Sequence, residues 1–507
     1  MLQALTELLA AGAARGTAAG EADAIGAPGR TALSYRGLGS QVHAVGRQLR
    51  GAGVSATDRV AIVLPNGPLA ASAFVSMAPW CATAPLNPAY KESEFEFYLD
   101  DLDARALVVD DGSESPAVAV AEARGIRVIS LSEGERAGEF ALDGVVEAAV
   151  AKRDADATAL ILHTSGTTSR PKMVPLSQAN LCASATNIAL TLALAPSDRC
   201  LNVMPLFHIH GLVAPVLATL AAGASVSCSP GFDALRFFAW LGEAKPTWYS
   251  AVPTMHQAIL ARAGRNEDTV RASVLRFIRS SSASLPPQVM QQLEAVFGVP
   301  VIEAYAMTEA AHQMCSNPLP PKARKPGSVG PAAGPEVTIM DAKGAALGTG
   351  EEGEIVIRGA NVTTGYLNNP EANAGAFHDS GWFRTGDQGV MDADGYVKVT
   401  GRLKEIINRG GEKIAPLEID EVLLDHAAVQ QVCAFAAPHP RLGEDVAAAV
   451  VLADGANASE RDLRDFAAER LADFKVPRRI LFVDEIPKGP TGKIQRIGLA
   501  KALGIEA

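Results

Sequence analysis

The sequence predicts an α/β protein, a large N-terminal domain of helix-covered sheets followed by a smaller α+β domain. Three observations predict it. At 507 residues the chain exceeds what a single hydrophobic core usually serves. Short apolar, β-branched runs alternate with helical stretches, the pattern of a largely parallel sheet covered by helices. From Gly401 the chain changes to GRLKEIINRGGEKIAPLEIDEVL, where a strongly periodic helix beginning at Pro416 opens a second, smaller unit.

In order, the opening MLQALTELLAAGAARG carries Glu7 and no positive leading segment, so an amphipathic helix is expected there rather than a signal peptide. Tyr35 to Leu49 places its apolar residues on one helical face. Arg59 to Leu64 (RVAIVL) is a buried strand ending in the turn residues Pro65, Asn66 and Gly67, and Ala106 to Asp110 and Ile126 to Ser130 repeat that pattern. The longest uncharged run, Cys200 to Phe232, is long enough to span a bilayer, but it contains Pro205, His208, His210, Pro215 and several glycines, so buried core is expected. Trp248 to His256 reads as a strand passing through Pro253 into a helix. Phe277 to Pro286 (FIRSSSASLP) reads as the next strand with a turn of small residues, and Val301 to His312 follows as another strand.

Composition narrows the function. Forty-eight per cent hydrophobic and 20 per cent charged residues are ordinary for a globular enzyme and argue against disorder. A net charge of -11 disfavours a general nucleic-acid or anionic-membrane binder. Cys81, Cys182, Cys200, Cys228, Cys315 and Cys433 lack metal-site spacing and suggest no disulfide framework, so a reducing, cytoplasmic setting is expected. The terminal GIEA is not a peroxisomal address.

The chemistry concentrates in His163 to Pro175, HTSGTTSRPKMVP. An apolar run, Ala159 to Leu162, stops in hydroxyls, glycine and two cations. Backbone N–H groups, the hydroxyls of Thr164, Ser165, Thr167 and Thr168, and the charges of Arg170 and Lys172 suit a polyanion, with Gly166 permitting close approach. The Walker spacing is absent, which disfavours an ordinary P-loop NTPase; a Ser/Thr-rich surface turn has the same composition. Two imidazoles, His208 and His210, lie in an apolar setting, where a buried structural histidine is the plain alternative to a ligand. Thr308 and Glu309 follow a strand, where a helix cap is the alternative reading. Gly410 and Gly411 suit a β-hairpin turn, and Lys493 in KGPTGKIQR reads by default as a solvated lysine.

These segments resemble, in order and over nearly the whole chain, the adenylate-forming superfamily of acyl-CoA synthetases, nonribosomal adenylation domains and firefly luciferase. The resemblance implies that Thr164, Ser165, Gly166, Thr167, Thr168 and Lys172 hold the ATP β- and γ-phosphates while a carboxylate attacks the α-phosphate. It implies that Ser282, Ala283 and Ser284 lie beside adenine and that Tyr305 stacks on it. Thr308 is then expected on the α-phosphate, Glu309 on Mg²⁺, and Asp387, in GWFRTGDQG, with Arg402 on the ribose. His208 would line the acyl pocket. Lys493 would enter during adenylation, stabilising charge in the transition state. A mobile small domain, 405–507, would turn about a hinge at 401–404 that includes Lys404, bringing the Gly410 and Gly411 loop to the coenzyme A tunnel and leaving 1–400 to bind ATP and the acid.

Within the superfamily, LHTSGTTSRPK, PLFHIHGL, AVPTMHQ, FIRSSSASL, EAYAMTEAAHQMCSNPLP and NRGGEKIAP look most like the oxalate-CoA ligase branch. A second carboxylate needs donors, and His208, Ser281 and His312 are the polar residues assigned to it. Malonate-type relatives carry Arg before the aromatic, where this chain has Ala304. A short or medium fatty acid or a 4-coumarate-like acid is the alternative substrate, and a carrier protein the alternative acceptor; a chain ending soon after the small domain argues against a megasynthase. A luciferase-like oxidase would share the first half-reaction, whereas a non-catalytic binder would be expected to lack Lys493, Glu309 or Asp387, all present here. No nucleic acid, membrane span or obligatory protein partner is expected. Met173 departs from the family, which usually has glycine after the loop lysine.

Overall fold

The β-branched runs pair as parallel strands. Arg59–Val63, with four consecutive buried residues, sits between Ala82–Pro85 and Ala106–Asp110, and a strand covered on both faces needs that unbroken apolar pattern. The structure, a computed structural model, describes residues 3–16, 20–164, 171–488 and 494–505. Among the described residues the chain forms four sheets. The first runs Phe140–Leu142, Arg127–Glu133, Ala106–Asp110, Arg59–Val63, Ala82–Pro85, Thr158–His163, Met173–Ser177, parallel inside and antiparallel at both edges. The second runs His312–Ser316, Val301–Met307, Phe277–Ser281, Trp248–Ala251, Arg199–Asn202, Ser225–Cys228, Asp23–Ala27, Arg30–Ser34, again with antiparallel edges.

One apolar core joins these two sheets through the helices Tyr35–Gly51, Pro68–Met77 and Gln178–Thr191. The first starts where Ser34 Oγ accepts the Gly37 N–H at 3.2 Å, a side-chain N-cap. The uncharged run from Cys200 is core, not a span. It breaks into a strand, a π-helical turn Leu212–Leu217 containing Pro215, a short helix and a second strand. Proline lacks the N–H that a regular helix would use there. Among the described residues no helix is long and apolar enough to cross a membrane.

A four-stranded antiparallel sheet, Glu336–Met340, Gly353–Arg358, Phe383–Met391, Val397–Arg402, completes the large domain. Gly401 and Arg402 end its last strand, Lys404 lies in the following turn, and Ile407–Arg409 already belongs to the next sheet. That last sheet holds Glu412–Ile414, Ile407–Arg409, Gly443–Leu452 and Val429–His439, with Arg479–Phe482 paired to Gly443–Leu452. The helix expected from Pro416 runs Pro416–Leu424 and packs with Glu460–Ala468 on a separate small core. Gly410 and Gly411, with φ of +61° and +106°, form the hairpin turn between the two short strands, a conformation that needs glycine.

Candidate active site

The parallel strands Trp248–Ala251, Phe277–Ser281 and Val301–Met307 end on one side of their sheet, and the residues just beyond them carry polar chemistry, as expected at the carboxyl edge of such a sheet. The stem of the Ser/Thr-rich loop lies at the end of Thr158–His163. Its two sides are tied together: the Thr164 N–H donates to the Lys172 carbonyl at 2.9 Å, and the Lys172 N–H to Thr164 Oγ1 at 3.3 Å. Ser165, Gly166, Thr167 and Thr168 lie outside the described residues, as does Lys493. Met173 is 4 per cent exposed and packs in the core with Leu86 and Ile161. The residue that departs from the family pattern therefore anchors the loop's exit strand.

Lys172 Nζ lies 4.3 Å from the centre of the Tyr366 ring. Partial burial lowers its pKa, the Lys404 charge adds to that, and Glu309 opposes it. Glu309 starts from the turn Thr308–Ala310 after Val301–Met307, and its buried Oε1 accepts the Tyr366 hydroxyl at 2.9 Å. Burial raises the Glu309 pKa, against the pull of Tyr366 and Lys172. Thr308, beside it, is part-exposed. Tyr366 was missed by sequence reasoning; it is an isolated aromatic whose partners lie far away in the chain.

Asp387, 4 per cent exposed, gathers a second cluster. Its Oδ2 accepts the Tyr305 hydroxyl at 2.5 Å and its Oδ1 accepts Arg402 Nε at 2.7 Å. Asp387 stands opposite Arg402 in the sheet register, so the pairing is built into the fold. The Asp387 charge raises the Arg402 pKa; burial, then Asp387, raises that of Tyr305.

The third cluster is the imidazole pair. His208 caps a short helical turn, its Nδ1 accepting the His210 N–H at 3.3 Å, which leaves Nε2 to carry the proton of the neutral ring. His210 is buried, with Nδ1 3.0 Å from Ser282 Oγ and Nε2 2.7 Å from Ser250 Oγ. His312, also buried, stands perpendicular to His210 with ring centres 4.9 Å apart. Ser282 and His312 hold left-handed φ angles of +76° and +105°, rare for residues with side chains and a form of strain that clusters at functional sites.

Ser281 corrects the sequence reading. Its hydroxyl is fully buried and donates to the Ala304 carbonyl of the neighbouring strand at 2.9 Å; Ser282, just past the strand end at a left-handed φ, meets His210 instead. Beyond it, Ala283 is exposed and Ser284 part-exposed, open to a flat ring. Lys404, Gly410 and Gly411 are exposed, the two glycines on the small domain.

Comparison with known proteins agrees with this layout. The AMP-binding enzyme model matches residues 13–367, and the AMP-binding enzyme C-terminal domain matches 418–493. Oxalate–CoA ligase of Arabidopsis thaliana is 45% identical over 488 residues, covering 92% of this chain and 95% of that protein. Oxalate–CoA ligase of Saccharomyces cerevisiae is 41% identical over 474 residues, covering 88% and 86%. ATP-bound MatB from Rhodopseudomonas palustris superposes with a TM-score of 0.89 at 30% identity, covering 98% of each chain. With one family model matching most of the chain and the second following it in order, this protein belongs to the family of AMP-binding enzymes.

Proposed function

We propose that this chain is an ATP-dependent, AMP-forming acid–CoA ligase whose acid is oxalate. A carboxylate oxygen of the acid attacks the α-phosphorus and diphosphate leaves. The thiol of coenzyme A then attacks the acyl carbon and AMP leaves. The observation that carries the oxalate reading is the pair of curated relatives of that name, at 45% and 41% identity over most of the chain.

Chemistry at the imidazole pair supports it. A dicarboxylate as small as oxalate keeps a second charge next to the reacting carboxyl, and donors must meet it there. His208, with its proton on Nε2, His312 and the Ser282 hydroxyl supply such donors, Ser282 taking the part first given to Ser281. Asp387 and Arg402 would hold the ribose, and Tyr305 the adenine face. Thr308 and Lys172 would meet the phosphates.

Glu309 offers one hard oxygen ligand, and among the described residues no group of three His, Cys, Asp or Glu forms a metal cage. That set fits Mg²⁺ shared with a phosphate chain, which takes one or two carboxylates and completes its shell with phosphate and water. Bound there, Mg²⁺ supplies neutralisation of the triphosphate charge. The turn carrying Lys404 is the proposed hinge, about which the small domain first presents Lys493 and then the Gly410 loop.

The test is CoA-dependent AMP release from ATP with oxalate, malonate, acetate, octanoate and 4-coumarate, each thioester identified by mass. The expected result is a kcat/KM for oxalate well above the rest. Turnover of octanoate or 4-coumarate without oxalate turnover contradicts the substrate.

A further inference from the structure

The strand Phe277–Ser281 carries an arginine in its middle. Arg279 is fully buried and lies beside Ser250 in the parallel register with Trp248–Ala251. A buried guanidinium ordinarily needs a carboxylate. Its partners among the described residues are neutral: Nη1 donates to Ser250 Oγ at 3.4 Å, Nη2 donates to Gln313 Oε1 at 3.2 Å, and Nε has none. Burial pulls its pKa down to about 9, which leaves it charged at neutral pH.

A cation that can only donate sets the direction of the bonds beyond it. Ser250 Oγ accepts from Arg279 and lies 2.7 Å from His210 Nε2. Were Nε2 protonated, Ser250 would accept twice and its own proton would be buried without an acceptor. Ser250 therefore donates to Nε2. The neutral His210 then carries its proton on Nδ1 and donates it to Ser282 Oγ at 3.0 Å. That leaves the Ser282 hydroxyl proton for an acceptor in the pocket, at the first member of the chain that is not fully buried. A second arm leaves Arg279 through Gln313, whose Nε2 donates to Thr191 Oγ1 and the Ala333 carbonyl at 3.1 and 3.0 Å. Gln313 is the residue after His312.

We propose that Arg279 is a positioning residue for the acid: through Ser250 and His210 it fixes the Ser282 hydroxyl as a donor toward the substrate carboxylate, and through Gln313 it holds the backbone that presents His312. This rests on the reading of the imidazole pair as the acid pocket. The buried, uncompensated charge also makes the rear wall of that pocket positive, which favours an anion over a neutral acid.

Three variants test it. Arg279→Met keeps volume and removes charge, and Ser250→Ala cuts the chain with the loss of one oxygen, which keeps the test available if the first variant does not fold. Each should raise the KM for oxalate about tenfold, the worth of one charge-assisted hydrogen bond, while the KM for ATP stays within about twofold. Ser250→Thr, which keeps the hydroxyl, should restore the oxalate KM. The wild type is ranked on the acid panel first: preference for another acid overturns the oxalate reading alone, and the variants are then read on that acid. An unchanged acid KM in Ser250→Ala, or equal rises for acid and ATP, overturns the positioning role.

Discussion

Single residues decide which chemistry the pocket can do, and neighbours one position apart do different work. Ser281 and Ser282 are alike in sequence, yet one bonds its own sheet and the other faces an imidazole. Composition and motif located the turn; the strand end and the left-handed backbone at Ser282 separated the two serines. Tyr366 was illegible for a related reason, since its bond to Glu309 spans 57 positions. Tyr366→Phe removes the bond that holds the Glu309 carboxylate ionised against burial, so its pKa should rise further. Adenylation, which needs the anion, should then shift its acidic limb to higher pH, with recovery at alkaline pH. A pH profile of diphosphate release checks this, and an unshifted limb contradicts it.

Glu303 carries a stability prediction of the same kind. It is 3 per cent exposed, one oxygen accepts the Leu285 N–H at 2.8 Å, the other has no partner among the described residues, and burial raises its pKa to about 8. The folded state holds this proton more tightly than the unfolded chain, so the stability it contributes is full below the ordinary value of 4.5 and is lost as pH rises through about 8. Glu303→Gln keeps the acceptor and abolishes the titration. Its Tm should match the wild type near about pH 4 and exceed it near about pH 8.5, by about 1–2 °C for each kcal/mol recovered in a chain of this size.

At the scale of elements, periodicity was the most legible signal. The runs at Arg59 and Ala106 became strands because β-branched and apolar residues suit a sheet covered on both faces. Long-range contacts were not legible. Arg496, three residues after Lys493, donates to Glu405 at 3.1 Å and to Asp420 at 2.7 Å, fastening the chain's last segment to the turn after Lys404 and to the helix Pro416–Leu424. Nothing in the spacing of these residues announces the triad. Arg496→Met leaves two part-buried carboxylates without their cation and should destabilise the small domain by about 1–3 kcal/mol, measured by urea denaturation. A loss below about 0.5 kcal/mol contradicts a structural role for the triad. Gly330 is a second such point: at φ +86° an added Cβ would lie 2.1 Å from the Ser316 carbonyl carbon, so Gly330→Ala should cost about 1–3 kcal/mol or more in the same measurement.

For the whole molecule, two domains joined by one short crossing suit a reaction in two steps that share a site. The sequence order of loop, aromatic–Thr–Glu, Asp and Lys493 made that legible, because each motif is a short local pattern that can be read without knowing its distant neighbours. Pocket shape was not, since it depends on where the imidazoles and strained turns meet. If the small domain serves the steps in turn, Lys493→Ala should lower adenylation about 100-fold or more and leave thiolysis of a supplied acyl-adenylate largely intact. Equal loss in both half-reactions contradicts that division.

The central claim is that an oxalate oxygen displaces diphosphate from ATP before coenzyme A reacts. Oxalate labelled with heavy oxygen tests it directly, with AMP and inorganic products analysed by mass after complete turnover with coenzyme A. The account predicts one labelled oxygen in AMP, unlabelled diphosphate, and the remaining label in oxalyl-CoA. Unlabelled AMP, or release of ADP with label in phosphate, would contradict it.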